Sequence, residues 1–165
     1  MTRDEIKVIA DIVGGDDTYR HFVHRINKEF DMADSDRHSE VKVLFQYLDE
    51  ERIGFSVIGV SPAKMRAWEE IFKEENWVDQ TFNINLDSHE LMYMYIKPEF
   101  RNKGFGKTLL TSALNYAREN NAHNVYAYVS DRTDSSLAFY QKMSAKPIHI
   151  IDDSDITTAF LKWDL

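Results

Sequence analysis

Between Glu90 and Val129 the chain reads as an apolar run, a glycine turn, a long amphipathic helix and a second β-branched run. Leu91-Met92-Tyr93-Met94-Tyr95-Ile96 lacks polar alternation, as a strand covered on both faces does, and Pro98 ends it. The helix expected from Gly106 to Asn120 puts Leu109, Leu110, Ala113, Leu114 and Ala117 on one face. Val125 to Val129 then reads as a strand. A strand–helix–strand segment of this kind requires a right-handed parallel crossover, and that requirement limits the fold more than any other stretch.

The flanking sequence supplies antiparallel hairpins. Val41–Leu48 and Ile53–Val60 are rich in β-branched and aromatic residues, and Asp49-Glu50-Glu51-Arg52 joins them. Ile148–Ile151 and Ala159–Trp163 read as two closing strands, after a helix over Ser135–Met143. At the other end, Thr2-Arg3-Asp4-Glu5 fits a capping box, followed by Ile6, Ile9, Ala10 and Val13 at helical spacing until Gly14-Gly15. Asp16 or Asp17 suits the cap of a second helix carrying Tyr19, Phe22, Val23, Ile26 and Phe30. Ser61-Pro62 opens a third, with Met65, Trp68, Ile71 and Phe72 to one side and an end near Asn76-Trp77. Thr81–Leu86 alternates and is expected to form a short strand. The fold class expected is α/β: a mixed, mostly antiparallel sheet with a central parallel strand–helix–strand unit and helices on both faces. At 165 residues, one domain over 1–165 is expected, without repeats or low-complexity linkers.

Composition narrows the function. A net charge of −8 argues against a nucleic-acid partner, since phosphate contacts supply most non-specific affinity, and favours cationic small molecules instead. There is no cysteine, so no thiolate ligand or nucleophile, and the scattered histidines show no metal spacing; no metal is expected. No apolar run approaches the roughly 20 residues of a membrane span. Arg3, Asp4, Glu5 and Lys7 do not suit a secretory signal, so a cytoplasmic protein without a membrane partner is expected.

Against this acidic background, Lys97, Arg101, Lys103 and Lys107 crowd a window with one acid, Glu99. The turn within it reads Arg101-Asn102-Lys103-Gly104-Phe105-Gly106-Lys107-Thr108 and opens the long helix. Unpaired N–H groups and the positive end of the helix dipole make such a start an anion site. Gly106-Lys107-Thr108 imitates the end of a P-loop, but Arg101 stands where that motif needs its first glycine. The dinucleotide fingerprint finds Gly104 and Gly106 but meets Leu109 at its third glycine. The third template, Arg/Gln-x-x-Gly-x-Gly/Ala, matches at Arg101, Gly104 and Gly106. A bare tight turn with solvated cations is the alternative reading.

That third template is the pyrophosphate loop of the GNAT family of N-acetyltransferases, which the chain resembles over roughly residues 41–60 and 88–165. The segments IGFSVIGV, ELMYMYIKPEFRNKGFGKTLL and VYAYVSDRTDSSLAFYQKMSA carry the resemblance. It implies acetyl-CoA as co-substrate, with pyrophosphate on the backbone from Arg101 through Asn102, Lys103, Gly104, Phe105 and Gly106 to Lys107 and Thr108. The pantetheine arm would pair with the strand edge around Tyr93 to Ile96, including Tyr95 and Ile96. A backbone N–H there would stabilise the oxyanion of acyl transfer.

A protonated amine cannot attack, so a base is needed. Glu90 has the spacing of the base in histone-type members of the family; the alternative is that it caps an exposed strand end beside His89, itself a second candidate. Tyr140 occupies the family position of the acid that protonates the departing thiolate, with core packing beside Leu137 and Phe139 as its alternative. Thr133 and Ser144-Ala145 depart from the family pattern around that helix. The function implied is direct acetyl transfer to a primary amine in a ternary complex, the alternative being a non-catalytic acyl-CoA sensor of the same fold. A small-molecule or peptide amine is the partner expected. Tyr19–Asp36 and the insertion 61–89 are candidates to line its site, the insertion as lid, specificity wall or dimer surface. Asp31, Asp34, Asp36 and Glu40 could attract the amine. Exposed strand edges leave a homodimer open.

Overall fold

Helix α1 (Arg3–Val13) begins at the capping box its sequence announces: the Thr2 hydroxyl accepts from Glu5 N, and the Glu5 carboxylate accepts from Thr2 N. Helix α2 is Arg20–Asp31. The computed structural model describes residues 1–15, 20–31, 40–131, 135–153 and 155–165. Asp16, Asp17, Tyr19, Asp34, Asp36 and Thr133 therefore lie outside the described residues.

Among the described residues six strands form one sheet: β1 (Glu40–Leu48), β2 (Glu51–Val60), β3 (His89–Ile96), β4 (Asn124–Asp131), β5 (Lys146–Asp153) and β6 (Ile156–Asp164). Their order is β1-β2-β3-β4-β6-β5. Only β3 and β4 are parallel, joined by α4 (Phe105–Glu119), so the expected crossover is present and the sheet is otherwise antiparallel. The β1–β2 turn is tighter than the sequence suggests. Only Asp49 and Glu50 lie outside the strands, Asp49 at φ 52°, because the Arg52 guanidinium lies over the Phe45 and Tyr47 rings and bonds the Tyr47 hydroxyl.

Helix α3 (Pro62–Glu74) ends slightly earlier than expected. Residues 81–86 form no strand, contrary to the alternation. Ile84 is buried beside α3, and its N–H donates to Glu69 Oε2 at 2.6 Å. Of the alternating residues Ile84 is buried, Phe82 packs partly against the same cluster and Leu86 is exposed; at Ile84 a side-chain carboxylate takes the place of a strand partner.

Helices α4 and α5 (Ser135–Lys142) cover one face of the sheet over Ile58, Leu91, Val125, Ala127 and Leu161. On the other face, α1 and α2 lie over Val43, Phe55, Val57, Tyr93 and Tyr95. Helix α3 covers the neighbouring part of that face, with Met65, Trp68 and Phe72 against Tyr126 and Phe160. The insertion thus carries a core of its own, and Trp68 belongs to it.

The β2–β3 ladder has one irregularity that matters later. Val57 pairs with Tyr93 but Ile58 pairs with Leu91, leaving Met92 as an extra residue in β3. Met92 and Tyr93 consequently pack toward the same cluster under α1 and α2, as a bulge dictates. Opposite Glu90, Gly59 permits close strand approach, since a Cβ there would collide with the Glu40 carbonyl. Gly59→Ala is expected to destabilise by about 1–3 kcal/mol, read from the denaturation midpoint at unchanged m-value.

Candidate functional site

Strand β3 ends at Ile96, and the chain turns through a short 3-10 segment, Pro98–Phe100, into the glycine loop. Asn102 at φ 60° and Gly104 at φ 90° reverse its direction. Gly104 is the N-cap of α4, so no side chain caps that helix. The first N–H to be satisfied within the helix is that of Thr108, bonded to the Gly104 carbonyl at 3.2 Å. The N–H groups of Phe105, Gly106 and Lys107 precede it, where the dipole favours an anion. A Cβ on Gly106 would make only ordinary contact with the Phe139 ring, at 3.6 Å, so packing within the chain does not demand glycine there.

The four cations separate into two pairs. Lys97 is bound to Glu51 at 2.5 Å, and the Arg101 Nε donates to the Ile96 carbonyl at 2.8 Å while its guanidinium lies over the Tyr95 ring. Both brace the loop against the sheet. Lys103, near the Phe100 ring, and Lys107 are exposed beside the helix start. Lys103 and Lys107 are the two of the four that the structure leaves most exposed.

Beside the loop the sheet opens. Strand β3 pairs with β4 only at His89↔Val125 and Glu90↔Tyr126. Beyond that point β4 stays with β6 over its whole length, and β3 stays with β2 to Ile96. The β3 segment from Leu91 to Ile96, which contains the predicted Tyr95 and Ile96, therefore has no ladder partner in β4, a gap in the pairing that ends where the chain turns into the glycine loop.

Glu90 stands at the root of this gap. Gly59 and Tyr126 are its register partners, which directs its side chain to the α1–α3 face. It is buried, and Oε1 accepts from Lys64 Nζ at 2.6 Å. It does not cap an exposed strand end. His89 points to the opposite face, with its ring edge-on to Tyr116, and is buried rather than solvated. Its Nδ1 lies 3.2 Å from the Asp87 carbonyl, and its Nε2 has no hydrogen-bond partner among the described residues. The two neighbouring candidates are thus divided by the sheet.

Tyr140 lies on the α4–α5 face, half-buried, its ring edge-on to Trp163 at 5.6 Å and to Phe139 at 5.3 Å. Glu40 also belongs to that side: it accepts from the Tyr116 hydroxyl, and burial, helped by this contact, pushes Tyr116 up to about 12. It is thereby removed from the face that holds Glu90. Lys64 was not singled out by the sequence. It lies 26 residues from Glu90 in a helix start, and no spacing rule connects them.

Among the described residues no group of three or more His, Cys, Asp or Glu gathers to hold a metal, and no helix is long and apolar enough to cross a membrane. A surface cleft of about 420 Å³ lined by Arg66, Glu69, Asn83, Asn85 and Leu86 contains none of the site residues above.

The sequence model of the Acetyltransferase (GNAT) family matches residues 16–145. Among solved structures, the fold is similar to a ribosomal-protein-alanine N-acetyltransferase from Brucella melitensis, at TM-score 0.64 and 16% identity over 100% of this chain and 97% of that one. It is also similar to the PaiA N-acetyltransferase from Thermoplasma acidophilum in complex with coenzyme A, at TM-score 0.62 and 18% identity over 100% and 96%. A GNAT family acetyltransferase from Elizabethkingia anophelis with acetyl-CoA bound gives TM-score 0.53 and 13% identity over 77% and 78%.

Burial holds the His89 imidazole below its ordinary 6.5, although the Asp87 carbonyl and Glu40 oppose the shift. A depressed value means that the unfolded chain takes up this proton first. The stability tied to neutral His89 is therefore complete above 6.5 and is lost as the pH falls below it. Unfolding free energies measured down through that range should decline in the native chain, and His89→Leu should remove that part of the slope.

Proposed function

Because the chain belongs to the GNAT acetyltransferase family, we propose that it transfers the acetyl group of acetyl-CoA to a primary amine by direct attack in a ternary complex. The observation that carries this reading is the gap between β3 and β4, which opens after Glu90 and runs to the uncapped start of α4. A strand edge that has parted from its neighbour in the sheet can accept an extended amide-containing chain by backbone hydrogen bonding. An anion then falls on the N–H groups of residues 105–107, with Lys103 and Lys107 adding charge. These are the demands of a ligand with a pantetheine-like arm ending in pyrophosphate, so the residues present fit the coenzyme.

The coenzyme supplies an activated acetyl group; the chain supplies position and proton transfer. Glu90 on the α1–α3 face takes the proton of the acceptor ammonium, and Tyr140 on the α4–α5 face protonates the departing thiolate. Their separation by the sheet supports this division, because a ligand lying in the gap exposes one side to each. No cysteine is present to carry an acyl intermediate, which favours direct transfer. The Lys64–Glu90 contact favours the rival reading, a coenzyme-binding sensor, since it occupies the base.

Thiol release from acetyl-CoA, assayed over a panel of primary amines, tests the reading. Glu90→Gln and Tyr140→Phe should each lower kcat by roughly 10²-fold or more. Full activity in both would remove these two assignments. Coenzyme binding by calorimetry with no turnover on any amine would instead favour the sensor. Lys103→Ala and Lys107→Ala should each raise the KM for acetyl-CoA while sparing kcat, by no more than about 1 kcal/mol apiece, because both are exposed.

A further inference from the structure

Lys64 sits in the first turn of α3, with its Nζ 2.6 Å from Glu90 Oε1 and 5.3 Å from the centroid of the Trp68 ring. The Lys64 side chain is 23% exposed and that of Glu90 only 4%, so the lysine is the partner of the pair with access to solvent. A carboxylate beside an aromatic face is the chemistry that recognises a primary ammonium ion. Here a four-carbon alkylammonium already occupies it, and that alkylammonium belongs to the chain.

We propose that Lys64 holds the place of the acceptor in the resting protein, and that the substrate is an unbranched primary alkylammonium which displaces it from Glu90 and Trp68. This inference rests on the amine-acetylation reading above. Removing a cation from a buried carboxylate is costly, but exchanging one ammonium for another keeps Glu90 ion-paired throughout. Lys64 has a route outward, being partly exposed, and its charge is readily solvated once there. A neutral acceptor brings no cation to replace it and is excluded by the same cost. Specificity for charge thus arises from a competitor inside the chain.

The exchange also places the proton. The incoming ammonium donates one proton to Glu90, and the freed lone pair attacks the acetyl carbon. The C–N bond forms, the C–S bond breaks, and the coenzyme leaves as a thiolate that takes a proton from Tyr140 or solvent. The amine nitrogen loses its second proton to water as the amide forms. Glu90 returns its proton to solvent, and Lys64 moves back.

Two variants test the proposal. Lys64→Ala vacates the subsite, so n-butylammonium chloride at millimolar concentration should raise the melting temperature of this variant and leave the wild type unmoved. Sodium chloride at equal ionic strength and n-butanol should move neither. Lys64→Arg keeps a cation that grips the carboxylate through two donors and is harder to displace. It should raise the KM for the preferred amine by about tenfold, one decade of binding, with kcat retained. If Lys64→Ala shows no stabilisation specific to butylammonium, the proposal is overturned; if that variant does not fold, an unchanged amine KM in Lys64→Arg overturns it. Either failure, alongside wild-type turnover of amines, leaves the acetyltransferase reading intact. Specific stabilisation by butylammonium without any turnover would support the ammonium site and count against acetyl transfer.

Discussion

The site depends on a limited pairing: β3 and β4 share a ladder for two residues and then part. Strands separate only when each has another partner for its backbone, since unpaired N–H and C=O groups are costly to bury. Here β2 secures β3 and β6 secures β4 along their lengths. The extra residue Met92 begins the divergence, because a bulge bends its strand and increases the local twist. The consequence is a strand edge in the middle of a sheet that has parted from its neighbour. The glycine turn lies at the far end of that edge.

Charge is arranged around this opening with little redundancy. The chain is acidic overall, yet the loop gathers four cations, and the structure assigns half of them to holding the loop in shape. Arg101 tied to the Ile96 carbonyl and Lys97 tied to Glu51 brace the turn, while the backbone of α4 presents the donors. At the root of the gap the opposite economy holds. One buried carboxylate, Glu90, is matched by one lysine from the first turn of α3. The insertion 61–89 therefore does more than pad the sheet: its Trp68 and Phe72 fill a core over Tyr126, and its first turn brings a cation to the candidate base.

Much of this was legible before any coordinates. The apolar stretch 91–96, the helix on Leu109, Leu110 and Ala113, and the capping box at Thr2 each appear where their patterns place them. These features are local, governed by periodicity and by hydrogen bonds within a few residues. Alternation over 81–86 does not make a strand, because it carries no information on the partner: Ile84 packs beside a helix and Leu86 is exposed. Glu90 and His89, adjacent in sequence, were weighed together as site candidates, but the pleat sends them to opposite faces. Glu40 accepts from the Tyr116 hydroxyl on the side of the sheet opposite Glu90, a placement that its position in the sequence does not reveal.

The sequence by itself determined the class of fold and the glycine turn that opens α4, because both follow from short-range rules: a strand, a glycine reversal and a helix start written in consecutive residues. It also determined the family, through glycines whose spacing is set by the backbone path they permit. Only the tertiary structure decided which groups share a face and which cations remain available. Those outcomes depend on the register between strands and on contacts between residues dozens of positions apart. The pairing of Lys64 with Glu90 is the clearest instance: two ordinary charges in the sequence become one buried ion pair when α3 packs onto the sheet.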